Sequence, residues 1–442
     1  MLFRSLTNGN NPTIVNGAIN TSASNGAVLI STGTGGYSQN NFDISSGSGA
    51  ITVTANTVAI IANTGNNAFQ TSGVLTLKPS TAATAMSLAG ASAFDLTAAE
   101  VTALSGGISG AGSIVIGDAA ASTGLLTIGG AVNFGANTVT LNAGSYTDGN
   151  TTGRTVTAQS LNINARNAAG GIGAAGANNA IDVVVTNLTF NTNNGGAFIN
   201  ATGAINFGAG SSAVGTGAIG VTAAGAITQT GKITQAAGGG AVSFNAGANA
   251  ITLTNATNDF TGAVSLANSG AKNVAITDSN ALILGASNVG SGTLTVNTTG
   301  AITQTGAIIQ AAAAGAATFN AGAAAITLSN AANDFTGAVS VNNSGANNVV
   351  ITDANALVLG ASNVGTGTLT VVATGANTIT QTGAIKQAAA AGIASFTTGG
   401  GAITLTNVGN DFTGAVSATN AGANAIQKIG RASCRERVSL VV

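Results

Sequence analysis

The sequence predicts an all-β fold wound as a parallel β-helix, and three observations lead there. The string NDFTGAV occurs at 258–264, 333–339 and 410–416, so that Asp259, Asp334 and Asp411 follow one another at a nearly constant step. Charged residues make up only 5% of the chain while mean hydropathy is positive, a balance opposite to that of a solvated disordered chain. The apolar residues come in short alternating runs divided by Gly, Asn and Ser, which is the signature of strands bounded by turns. A chain that restates itself at a fixed period is a stack of similar units.

In chain order, residues 12–90 give the runs TIVNG, AVLIST, AITVTANTVAIIAN and VLTLKP. One helix is expected within 94–105, in FDLTAAEVTAL, spanning about 97–104. Thr97 and Glu100 have the spacing of a capping box, Val101 and Leu104 offer a small apolar face, and Gly106 and Gly107 stop it. Strand patterns then resume with SIVIG, LLTIGG, TVTLNAG, TVTAQSLNINA and IDVVVTNLTFN. The Asn- and Gly-rich tract 164–179 reads as loop or corner.

Two regions follow from this pattern: irregular coils over 1–204 and regular ones over 205–428. The regular part divides into repeats at 226–300, 301–377 and 378–428, the last truncated. Within the second repeat eight runs, among them AITQ, AIIQ, ATFN and AITL, imply three or four coils of about 19–25 residues. Each strand then pairs with its counterpart one coil away, and inward Ile, Val, Leu and Phe stack into a continuous core. Outward Thr, Ser and Asn suit neighbours at about 4.8 Å, where like charges would repel. At that spacing the rod is expected to reach about 80–105 Å. A stride of about 75 residues should return the same side chain to the same edge. The tracts 311–314 and 388–391, all Ala, are too short to nucleate helix and read as tight corners.

Residues 429–442, IGRASCRERVSLVV, break these habits with three Arg and the one cysteine of the chain, Cys434. The part IGRASCRERV resembles a translated sequencing-library adapter, so this segment is set apart as non-native. The remainder has a small net negative charge and offers no electrostatic footprint for nucleic acid. The start, MLFRSLTNGNN, contains no apolar stretch of signal-peptide type. Both ends together suggest a fragment.

The units GAITQTGAI, AITLTN, NDFTGAVS and ITDANALVLG, with the insert FDLTAAEVTAL, resemble those of filamentous-haemagglutinin-type proteins over most of residues 80–428. That resemblance implies a right-handed parallel β-helix and two-partner or autotransporter secretion through an outer-membrane transporter. It also implies an adhesive role at the bacterial surface, with a host glycan or protein as partner. Asn11-Pro12 alone does not make the family's amino-terminal secretion module.

Without His there is no imidazole base, and without cysteine before residue 429 no thiolate or Cys-based metal cluster. GxGxxG strings at 171–176 and 215–220 match the dinucleotide fingerprint in form, but so Gly-rich a chain yields about one by chance and neither precedes a credible helix. No cofactor is expected. Asp259, Asp334 and Asp411 have two readings: an Asx-type turn whose carboxylate accepts backbone N–H groups, which is preferred, or a ligand to Ca²⁺. Asp278 and Asp353, at strand ends beside Asn280 and Asn355, share both readings. Copies three or four coils apart lie too far from one another to share an ion.

Three functional classes remain, with a non-catalytic adhesive rod favoured by repetition and uncharged polar faces. A polysaccharide-degrading β-helix enzyme needs acids and bases clustered on adjacent coils, yet Lys232 becomes Ala307 and Ala384 in the other repeats. An ice-binding face needs Thr-x-Thr on every coil, and Thr228/Thr230, Thr252/Thr254 and Thr293/Thr295 are irregularly spaced. Severed ends exposing unpaired strand edges should also favour end-to-end self-association.

Overall fold

The computed structural model describes residues 5–61, 67–149, 153–176, 178–428 and 438–441. It bears out the parallel β-solenoid: strands pair in parallel with residues one coil away, and one α-helix occurs among the described residues. The chain forms two compact units, Met1–Ala223 and Ala224–Val442.

In the first unit one ladder runs through Leu29, Thr52, Thr76, Val115, Thr140, Asn162 and Thr189. Its steps are similar in length except that from Thr76 to Val115, which is more than half as long again as the step before it. The extra length carries the strands Met86–Leu88 and Phe94–Leu96 and the helix α1, Ala98–Ser105. The expected capping box starts α1: Glu100 N–H donates to Thr97 Oγ1 at 3.2 Å, and Thr97 N–H donates to Glu100 Oε2 at 2.8 Å. Val101, Ala103 and Leu104 face inward. After the helix the backbone passes so close to the neighbouring coil that a Cβ on Gly107 would sit 1.8 Å from the Phe69 carbonyl oxygen.

The second unit is built on two ladders. The first passes through Ile227, Ile251, Val274, Leu294, Ala317, Val339, Leu359 and Gln381. The second passes through Val242, Val264 and Leu284; two residues earlier on that last strand Leu282 pairs with Ile302, and the ladder continues through Ile326, Val349, Leu369, Ala394 and Val416. Alternation within each strand puts one set of side chains inside, as in Val349–Asp353, where Val349, Ile351 and Asp353 are buried and Val350 and Thr352 are not. Burying each Val, Leu or Ile is worth about 1.5–3 kcal/mol before the entropy of ordering the chain is subtracted.

The coils along the first ladder, longest from Ile227 to Ile251 and shorter from Val274 to Leu294, fall in the expected range. The phase of the repeat differs from expectation. Seven coils take the ladder from Ile227 to Gln381, about two sequence repeats, so one repeat occupies three and a half coils. Ile251 therefore lies on the first ladder, its counterpart Ile326 on the second, and Ile403 on the first again, paired with Ile379. One repeat stride exchanges edges, because it does not close a whole number of coils.

The structure also adds the strand Ser362–Val364, too short to stand out as a separate run. The Ala tracts are corners, as expected, with Ala313 (φ 55°) and Ala390 (φ 59°) left-handed where the first repeat has Gly238 (φ 75°). The segment 429–442 lies mostly outside the described residues; Val438–Val441 is a strand paired in parallel with Val416–Asn420. Lys428 takes the register position of the buried Ile276 and Ile351, so departure from the repeat is already visible there.

Candidate functional site

The repeated NDFTGAV string forms a corner between the two ladders. Its hub is the asparagine. Asn258 is fully buried; its Nδ2 donates to Gln229 Oε1 at 2.9 Å and to the Thr277 carbonyl at 3.0 Å. Its Oδ1 accepts from Ile233 N–H at 3.0 Å and from Gln229 Nε2 at 2.9 Å. Asn333 repeats this with Gln304, Ile308 and the Thr352 carbonyl, and Asn410 with Gln381 and Ile385. A buried carboxamide with its donors and acceptors matched is stabilising, and this is why Gln and Asn recur together.

The rest of the string is used in the same way. Phe260 packs edge-on against Phe244, centroids 6.0 Å apart, and Phe335 on Phe319 and Phe412 on Phe396 do likewise. Thr261, Thr336 and Thr413 donate their hydroxyls to the carbonyls of Ala236, Ala311 and Ala388 on the preceding coil. A Cβ on Gly262 would sit 1.9 Å from the Gly240 carbonyl oxygen, so only glycine fits.

The aspartates sit beside this hub, half-exposed at Asp259 and Asp334 and exposed at Asp411. Their backbone bridges to the neighbouring coil, Asp259 to Thr234, Asp334 to Ile309 and Asp411 to Lys386. The Asp259 carboxylate accepts from Asn280 Nδ2 at 2.8 Å, and Asp334 from Asn355. Backbone N–H groups instead go to the second acid: Phe260 N–H donates to Asp278 Oδ2 at 3.1 Å and Phe335 N–H to Asp353 Oδ1 at 3.0 Å. These are contacts between coils; the Asx-type contact, two residues on, is made by Asp278, whose Oδ1 accepts from Asn280 N–H at 3.2 Å, while Asp259 and Asp334 orient a neighbouring amide.

Asp278 and Asp353 are almost wholly inaccessible. Burial pushes each carboxyl up to about 6; the charge of the adjacent Asp259 or Asp334 adds to this, and the N–H bonds oppose it. Asp353 Oδ2 has no hydrogen-bond partner. In the third repeat the matching position, 430, lies outside the described residues. Among the described residues no three His, Cys, Asp or Glu side chains gather as a metal cluster. Elsewhere, Lys78 Nζ pairs with Asp118 Oδ2 at 2.7 Å in the first unit and holds that carboxyl below its usual range.

Fold and corner together define a β-solenoid repeat protein whose most repeated residues hold the coil together. Comparison with known families agrees: residues 194–267, 271–342 and 346–419, close to half the chain, match a family described as repeats of unknown function (DUF5649). No curated protein and no solved structure matches the chain.

Proposed function

We propose that this chain is a structural, adhesive segment of a large exported bacterial surface protein, an extended scaffold that presents weak contact sites many times over. The observation that supports it is the use made of the repeat. Asn258, Phe260, Thr261 and Gly262 and their copies are taken up by the corner, while the residues facing outward from the strands are mainly Thr, Ser and Asn. Such a surface suits multivalent contact, in which avidity replaces single-site affinity. The resemblance to filamentous-haemagglutinin-type units supports the same reading, with passage through an outer-membrane transporter and a host-surface glycan or protein as partner.

The test is adhesion itself. Beads coated densely with the chain should adhere to host epithelial cells several-fold more than beads coated with an unrelated β-solenoid of equal size, and soluble chain should compete. Equal adherence of the two bead types would overturn the proposal.

A further inference from the structure

The insert at α1 does more than lengthen one coil. Beside it, the strands Ile19–Asn20, Ile44–Gly47 and Phe69–Thr71 stack in parallel, placing Asn20, Ser45 and Gln70 in one outward row about 4.8 Å apart. The chain leaving α1 at Gly106 and Gly107 rises against the end of this row. It turns what would be an open strand face into a groove of about 670 Å³, within the size range of small-ligand sites.

The lining is unusual for such a site. Among the described residues it contains no Asp, Glu, Lys or Arg and no aromatic ring, and is made of carboxamides, hydroxyls and glycine backbone. A ligand with charge would meet no counter-charge, and an apolar one would meet little apolar surface. A ligand that offers many hydroxyls, each both donor and acceptor, matches it group for group.

The side chains are also held in place before any ligand arrives. The Asn20 oxygen accepts from Ser22 N–H at 2.9 Å and from its hydroxyl at 2.7 Å, which turns the Asn20 NH₂ away from that contact. Asn25 Oδ1 accepts from Ser48 N–H at 2.9 Å, and Gln70 Nε2 donates to Asp43 Oδ2 at 2.9 Å. Each amide retains further hydrogen-bonding capacity, and fixing its orientation beforehand reduces the entropy lost on binding.

We infer that this groove, floored by Asn20, Ser45 and Gln70 and walled by the chain after α1, binds a neutral oligosaccharide. The inference rests on the adhesive reading and gives it a place on the molecule and a ligand class. The experiment uses the full chain on an array of neutral and acidic glycans, followed by titration with the best neutral binder. Binding should be selective for uncharged glycans, because the Asp43 carboxylate behind Gln70 disfavours acidic ones, and should depend only weakly on salt between about 50 and about 500 mM, since no charged side chain lines the groove itself. The double variant Asn20→Ala, Gln70→Ala should weaken it at least tenfold, as should Ser109→Trp, which fills the groove from its wall. Asn342→Ala, in the second unit, should leave it unchanged, and circular dichroism checks that every variant is folded.

Neutral glycans bound equally by wild type and both groove variants would overturn the inference while leaving adhesion standing. So would adherence to cells that persists after enzymatic removal of surface glycans, which would point to a protein receptor. Absence of binding to both glycans and cells would overturn the inference and the adhesive reading together.

Discussion

Both atoms of the Asn333 carboxamide are engaged within the fold, with Gln304, with Ile308 N–H and with the Thr352 carbonyl. Asn333→Ala strands an N–H and part of a glutamine amide in a dry interior, so it should cost about 2–4 kcal/mol in denaturant unfolding. A loss below about 0.5 kcal/mol would show that water replaces the side chain. In the sequence the eye goes to the charged neighbour Asp334, because charge is rare in this chain. The hub was not legible, since its partners lie 19 to 29 residues away and only the coil brings them near. Asp353 and Asp278 give a second expectation. Folded, they titrate near 6 against an ordinary 3.8, so between those values the folded state holds more protons than the unfolded. Their contribution is therefore fully present below pH about 4 and is lost as pH rises through 6. Asp278→Asn with Asp353→Asn should flatten that slope and add on the order of 1–2 kcal/mol per site at pH 7. Denaturation at pH 4, 5, 6 and 7 measures it, and parallel profiles for the two proteins would refute the shift.

The helix was the most legible element, because a capping box is a local signal and needs no tertiary information. Its attachment was not. Glu100 uses Oε2 for the cap but Oε1 for Ile60 N–H at 2.7 Å, on a strand 40 residues earlier. Thr97→Ala should thus cost about 1 kcal/mol, as a lost cap does, whereas Glu100→Ala should cost about 2–3 kcal/mol because it also leaves Ile60 N–H unpaired. Equal losses in thermal unfolding would mean the contact with Ile60 adds nothing. The Ala corners follow the same division. That four Ala residues could not nucleate a helix was readable, but the left-handed backbone at Ala313 and Ala390 was not, since alanine ordinarily avoids it.

At the largest scale the period was legible and the phase was not. The three copies of NDFTGAV show the period directly, but the number of coils between them depends on corner lengths. Those lengths vary from coil to coil, as the unequal steps from Ile227 to Ile251 and from Val274 to Leu294 illustrate. Half a coil left over means that successive corners within the second unit alternate between edges. The Asp259 corner leads from the first ladder to the second, the Asp334 corner from the second to the first, and the Asp411 corner matches that of Asp259. Anything borne on these corners is therefore shown on two sides of the second unit. Exposed equivalent positions Ala256, Ala331 and Val408 make the arrangement measurable with paired spin labels in a Cys434→Ser background. Ala256 and Val408, seven coils apart on one edge, should give about 34 Å. Ala256 and Ala331 are separated by about 17 Å along the axis and by the width of a coil across it, so their distance should exceed about 20 Å. If it came out at half the Ala256 to Val408 distance, both labels would lie on one edge, each repeat would close a whole number of coils, and the alternation would be wrong.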